Sequence, residues 1–238
     1  MRLNDSHGVR SGQAIPACRF VHALVLTPDP AWRRRCAEER SRDCRELAAV
    51  CGGPGPVRTS VYTCVGLQPA ADLLLWSLGP SPDALEERAA AVLRGGLGAW
   101  WRVGGSLLGA VTPSPYAPRR QPAEPALFAG ERARYLVVYP FTKSAEWYRL
   151  GHRARQGIMS EHIRVGRRYP QVRQLLASSF GLGGQDFVVT YEMADPAVFS
   201  RLVRELRGTE SRLATVADTP VLAAIHRPAA EAAGLLGD

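Results

Sequence analysis

Lysine is nearly absent from this chain. Of thirty basic residues in 238, only Lys143 is a lysine and the rest are arginine. A phosphate-binding loop of the Gly-x-x-x-x-Gly-Lys type is therefore excluded, because the one lysine follows Thr142. Neither Gly-x-Ser-x-Gly nor His-Glu-x-x-His occurs, which removes the nucleophile-elbow hydrolases and the common zinc peptidases. The five cysteines, Cys18, Cys36, Cys44, Cys51 and Cys64, contain no Cys-x-x-Cys pair, so zinc, iron–sulfur and covalently attached haem are not expected. Reduced, mostly buried thiols are. Long apolar runs are missing as well. The first run, Phe20 to Leu26, is seven residues long with His22 inside it, and Met1 to Pro16 ahead of it is polar. A membrane span needs about 18 or more apolar residues, so neither a signal peptide nor a span is expected, and the protein reads as soluble and cytoplasmic.

What is present is enough apolar residue, 46%, to bury a real core, and a formal charge of +8. A basic chain usually suggests nucleic acid. Here the arginines are scattered and no helix-turn-helix, finger or stacking-aromatic pattern accompanies them, so no nucleic-acid partner is expected. A small polyanion suits them equally well, because the guanidinium fork pairs with carboxylates in bidentate fashion.

Element order repeats along the chain. Residues 17–27 alternate as a strand, Asp29-Pro30 opens a helix to about Val50, 57–66 and 71–79 are strands, 82–93 a helix and 103–111 a strand. Residues 112–130 hold five prolines and no periodicity, as a linker does. Beyond it come a strand at 133–141, a long helix at 144–168 and a strand pair at 172–180 and 185–193 around Gly-Leu-Gly-Gly. A helix from Asp195-Pro196 to Arg207 and a strand at 219–226 follow. The expected class is α+β, with two ferredoxin-like β-α-β-β-α-β halves forming a subunit of the dimeric α/β-barrel type. Its expected divisions are a disordered tail at 1–16, a first half at 17–112, a linker at 113–131 and a second half at 132–228.

Candidate chemistry collects in the second half. His162 falls in one helical stripe with Leu150, Ala154, Ile158, Val165 and Tyr169, so it points inward. Such a histidine is either a hydrogen-bonded core residue or a metal ligand. The segment Tyr139-Pro-Phe-Thr-Lys143 leaves a strand toward that helix and brings a phenol and an ammonium to the same region. Tyr139 is equally readable as a half-buried strand residue. The single lysine offers a compact, titratable cation that arginine cannot replace.

Several ordered segments resemble the chlorite dismutase-like family: YPFTKSAEWYRL (139–150), MSEHIRVGRRYPQVRQLLASSFGL (159–182), FVVTYEMADPAVFSRLVRELRGTESR (187–212) and DTPVLAAI (218–225). A thinner echo covers YTCVGLQPAADLLLW (62–76) and LLGAVTPSPY (107–116). Within the family the segments look most like the coproheme decarboxylases of firmicute type. The resemblance implies a doubled ferredoxin-like fold that holds haem or iron coproporphyrin III in the second half. It implies His162 as the iron ligand, Glu210 as the acceptor of that histidine's other N–H, and Tyr139, Lys143 and Gln174 as catalytic. Gln174 falls at the distal position where chlorite-degrading relatives carry arginine. Arg173 beside it is turned to the other face by strand alternation. Arg167, Arg207 and Ser211 match propionate-binding positions. The implied activity is hydrogen peroxide-dependent conversion of coproheme to haem b by a homopentamer. A chlorite dismutase or peroxidase-like enzyme, or a non-catalytic haem carrier or sensor, is the alternative. The turn Gly-Leu-Gly-Gly and one residue fewer between His162 and Gln174 depart from several relatives.

Overall fold

The structure is a computed structural model that describes residues 20–112, 114, 116 and 131–236. The tail expected at 1–16 and most of the linker expected at 113–131 lie outside the described residues, as does Cys18.

The first half runs β1 (Phe20–Pro28), α1 (Ala37–Gly52), β2 (Arg58–Gln68), β3 (Ala71–Gly79), α2 (Pro82–Arg94) and β4 (Trp101–Ala110). The second begins with β5 (Tyr135–Lys143), α3 (Ala145–Arg149), α4 (His152–Gly166), β6 (Arg173–Ser178) and β7 (Phe187–Met193). It ends with α5 (Pro196–Arg207), α6 (Glu210–Leu213), β8 (Thr215–Ala217), β9 (Leu222–His226) and α7 (Ala229–Leu236).

The strands run β4-β1-β3-β2 in the first half and β9-β5-β7-β6 in the second, the same antiparallel order by position. Each half is ferredoxin-like. The edge strand β2 pairs with β9 through Tyr62↔His226 and Thr63↔Ile225, and β4 pairs with β6 through Ala110↔Ser178, so eight strands close into a barrel. Gly109 stands at the second seam because a Cβ there would meet the Ala177 Cβ at 2.7 Å, inside any tolerable contact.

Strand alternation sorts the side chains. Val21, Ala23 and Val25 of β1, Leu136 and Val138 of β5, and Leu175 and Ala177 of β6 fill the barrel. Their neighbours face outward to helices: Leu24 and Leu26 under α1 and α2, Val137, Val189 and Tyr191 under α4 and α5. Pro140 interrupts β5 where its ladder with β9 stops at Val138 and that with β8 has not begun, so its missing N–H costs little.

Two expectations are corrected, and one element is new. Asp29-Pro30 does not open α1: the Asp29 carboxylate accepts from Ala31 N at 2.8 Å, a 3-10 turn occupies Trp32–Arg34, and the helix starts at Ala37. The long helix expected at 144–168 is two, because Leu150 and Gly151 are extended between α3 and α4. Helix α7, unforeseen, crosses back to the first half, where Ala232 and Leu236 join its core. The Asp195 cap with Pro196 behind it holds, the carboxylate accepting from Ala197 N at 2.8 Å. No described helix is long and apolar enough to cross a membrane.

One carboxylate ties both halves inside the barrel. Glu192, fully buried, accepts from Tyr62 OH at 2.8 Å across the halves and pairs with Arg173 at 3.1 Å and Arg132 at 3.4 Å. Burial pushes its carboxyl up and Arg132, Tyr62 and Arg173 pull it down. Replacing Glu192 with Ala removes the buried carboxylate that Arg132, Arg173 and Tyr62 share, and the expected loss is about 3 kcal/mol of unfolding free energy. Urea denaturation followed by far-ultraviolet dichroism measures it. A loss under about 1 kcal/mol, the worth of a surface pair, would show the cluster to be ornamental.

Candidate functional site

Helix α4 rests lightly on its sheet. Of its fifteen residues only Val165 is buried, whereas α1 buries Asp43, Cys44, Leu47 and Cys51. Ile158, Met159, His162 and Ile163 are half-buried on one side; Tyr135, Tyr139, Phe141 and Leu176 are half-buried on the sheet opposite. The expected apolar stripe is therefore incomplete at its start, where Ala154 and Leu150 are exposed. An apolar surface left half-covered on two facing sides suits a flat apolar ligand.

His162 projects from this helix with Nδ1 at 2.9 Å from Ser211 Oγ. Burial lowers its pKa to about 4, with Lys143 adding to the effect, so the ring is neutral at physiological pH and its lone pair is available. Glu210, expected on the second nitrogen, is exposed, and its backbone N–H donates to Glu161 Oε2 at 3.0 Å. Ser211, expected on a carboxylate ligand, is buried and takes that place on His162.

Lys143 ends β5 with its ammonium half-buried. Nζ donates to Ser211 O at 2.8 Å and Thr215 Oγ1 at 3.0 Å and lies 4.8 Å over the Trp147 ring. The Ser144 hydroxyl caps α3 by accepting from Trp147 N, which turns the chain and holds that indole under the ammonium. Burial, then Arg212, lowers the Lys143 pKa to about 8.

Tyr139 faces outward from β5 and stacks on Tyr191 of β7, ring centroids 6.1 Å apart. Burial raises its phenol, and a hydrogen bond from Tyr191 opposes that. Gln174 lies on the same outward face, opposite Tyr191 in register, and is exposed. Arg173 next to it points into the barrel to Glu192, as alternation requires. Arg167 is exposed at the end of α4. Arg207 pairs with Asp218 at 3.7 Å and Arg212 pairs with the same carboxylate at 3.4 Å. The structure thus gathers His162, Ser211 and Lys143 into one contact chain, sets Tyr139 and Gln174 on the facing sheet, and leaves Glu210 outside. Sequence reading missed Thr209, Arg212, Trp147 and Tyr191. The two hydroxyls spaced Thr-x-Ser after a helix end were the one available signal.

A family description for chlorite dismutase matches residues 36–227. The chain belongs to the chlorite dismutase family. It is 30% identical over 167 residues to the coproheme decarboxylase of Mycolicibacterium smegmatis, covering 70% of this chain and 71% of that one. An engineered variant of the chlorite dismutase of Candidatus Nitrospira defluvii superposes with a TM-score of 0.84 at 23% identity, covering 93% of this chain and 97% of the other. The imidazole complex of that enzyme gives 0.83 at 24% identity, covering 93% and 96%. Members of the family are haem-dependent enzymes.

The residues present fit a haem group. One neutral imidazole nitrogen is too small a donor set for a bare metal ion and suits iron already held by a macrocycle. Among the described residues no three His, Cys, Asp or Glu side chains converge on a metal position. The half-covered faces match a flat ring, and Lys143, Arg207 and Arg212 match its carboxylates.

The Lys143 shift gives two opposite signs. Between about 8 and 10.5 the unfolded chain holds a proton that the folded one has lost, so this lysine's contribution to stability rises with pH there. Its attraction for carboxylates falls over the same window. Binding of iron coproporphyrin III, titrated by absorption, should weaken as pH rises through about 8, and Lys143→Arg should flatten that step. A wild-type affinity constant across that pH would detach the ammonium from binding.

Proposed function

We propose that this protein converts iron coproporphyrin III to haem b by peroxide-dependent oxidative decarboxylation, with residues 132–228 holding the porphyrin. The observation that carries the reading is a neutral imidazole, His162, at a half-covered apolar face, with a half-buried phenol and several cations around it. Those groups supply a nitrogen donor, a hydrogen-atom donor and countercharges. The curated relative named coproheme decarboxylase supports the choice of substrate.

Each propionate that becomes vinyl loses CO2 and two hydrogens, and one hydrogen peroxide accepts those hydrogens to become two waters. When bound, the porphyrin iron would supply the redox centre through which peroxide acts. His162 Nε2 is the nitrogen that would hold it. The neutral ring that burial enforces needs no proton removed before binding. Tyr139 gives the hydrogen atom of its phenolic oxygen toward peroxide and regains one from a propionate side chain; the second electron and proton of that propionate go to peroxide as CO2 leaves. Burial keeps that phenol protonated and ready to do so. Lys143 and Arg207 bind and orient carboxylates, with Arg167 at the rim, and Lys143 also holds positive charge where a carboxylate must be fixed. Gln174 brings a neutral amide to the distal position of the family pattern. A cation there would hold an oxyanion by charge-assisted hydrogen bonds, and this residue cannot. Peroxide as co-substrate, a homopentameric assembly and a cytoplasmic location rest on the family resemblance.

Mass spectrometry of purified protein with iron coproporphyrin III and peroxide should show two successive losses of CO2 plus two hydrogens. Tyr139→Phe should bind coproheme almost normally yet form haem b at a small fraction of the wild-type rate, since only a hydroxyl is removed. Lys143→Ala should bind and accumulate the three-propionate intermediate. Haem b formation by Tyr139→Phe near the wild-type rate would sink the relay. In a separate assay with chlorite, an oxygen electrode should record slow, self-limiting release. Sustained oxygen release would transfer the assignment to a chlorite-degrading enzyme.

A further inference from the structure

Behind His162 runs a chain of hydroxyl groups whose direction is fixed at its far end. Thr209 Oγ1 donates to the Leu206 carbonyl at 2.7 Å, lies 3.1 Å from Ser211 Oγ, and Ser211 Oγ lies 2.9 Å from His162 Nδ1. Thr209 and Ser211 are both buried, so water does not compete freely for these bonds. A carbonyl oxygen can only accept. Leu206 belongs to the last turn of α5, its carbonyl accepts from the Thr209 backbone N–H at 3.1 Å as well, and carbonyls there carry the negative end of the helix dipole.

Proton order then follows by elimination. Thr209 has one hydroxyl proton and gives it to Leu206, so its oxygen accepts from Ser211. Ser211 gives its only proton to Thr209, so its oxygen accepts from His162. The Nδ1 atom must therefore carry the hydrogen, and Nε2 carries the lone pair. We propose that Thr209 and Ser211 are positioning residues that lock His162 in the Nδ1–H tautomer through a charge-neutral hydroxyl relay anchored on the end of α5. No carboxylate takes part, since Glu210 is exposed and its backbone binds Glu161 instead. The relay rests on these contacts alone; its use in presenting Nε2 to iron rests on the proposed function.

The arrangement also separates two duties of one residue. Ser211 meets His162 with its side chain and Lys143 with its carbonyl. Removing the hydroxyl disturbs the first contact and keeps the second.

Nitrogen-15 NMR of the ligand-free, histidine-labelled full-length protein at neutral pH reads the tautomer directly. The His162 signals, assigned by their loss in His162→Ala among the five histidines, should show a protonated Nδ1 and a bare Nε2. Thr209→Val keeps the side-chain shape and removes the relay's acceptor, so the Ser211 proton is freed to turn toward Nδ1. The two His162 nitrogen shifts should then move toward each other or exchange order. Ser211→Ala should give a tautomer mixture, and Thr209→Ser and Ser211→Thr should restore the wild-type pattern. A bare Nδ1 in the wild type, or shifts unchanged in both Thr209→Val and Ser211→Ala, would overturn the relay. The iron reading is tested apart from it: His162→Ala titrated with coproheme should lose the wild-type Soret position. An unchanged Soret beside an intact tautomer pattern would overturn iron binding at His162 and leave the relay standing.

Discussion

Eight strands can share one interior only if four edge strands find partners, and everything else in this molecule is arranged around that requirement. The two seams are narrow: two residue pairs join β2 to β9 and one pair joins β4 to β6. Backbone ladders so short do not hold two sheets in register by themselves. Side chains that cross the halves make up the difference, above all Tyr62 on Glu192 and Trp76 Nε1 donating to Thr190 Oγ1 at 3.3 Å. These bonds lie inside the barrel, where the low dielectric strengthens them and makes an unpaired member costly. Closure in turn fixes which side of β5, β6 and β7 faces out, and so decides that Tyr139 and Gln174 look toward α4 while Arg173 does not.

The site uses burial twice, to different ends. For His162 burial removes the charged form and leaves a neutral nitrogen donor. For Lys143 it weakens a cation without abolishing it at neutral pH, because the Ser211 carbonyl, the Thr215 hydroxyl and the Trp147 ring still hold the ammonium. Two groups that would repel if both were charged are thereby kept compatible at close quarters. The short helix α6 makes this possible, since its Ser211 touches both.

Much of this was legible in the residues. The doubled order of elements could be read from strand alternation, from prolines after cap residues at Pro82 and Pro196, and from the hairpin around Gly181, whose φ of +71° suits a residue without Cβ. His162 could be placed inward by its spacing, and Arg173 turned away from Gln174 by alternation. Boundaries were harder. Asp29-Pro30 has the composition of a helix start, yet its carboxylate closes a local turn instead, an alternative that Asp offers at any such position. The break at Gly151 was hidden because helical spacing continues through it. The partner of His162 was out of reach for a different reason: adjacent residues Glu210 and Ser211 differ by about 100° around a helix, and only the packed structure says which of them faces inward. Long-range bonds such as Tyr62 to Glu192 leave no trace in local pattern at all.

The duplicated topology places α1 and α4 at equivalent positions on their half-sheets, and the two have diverged. Around α1 the space is taken by the protein itself: Trp32 is wholly buried and donates to Asp43 at 3.0 Å, Arg35 pairs with the same carboxylate, and Leu47 and Cys51 pack below. Around α4 the corresponding layer stays partly uncovered. One molecule therefore displays two fates of a repeated unit, a half whose helix-covered layer is filled by its own side chains and a half whose corresponding layer is left partly open. Mutational tolerance should divide along the same line, with volume changes felt more sharply under α1 than under α4.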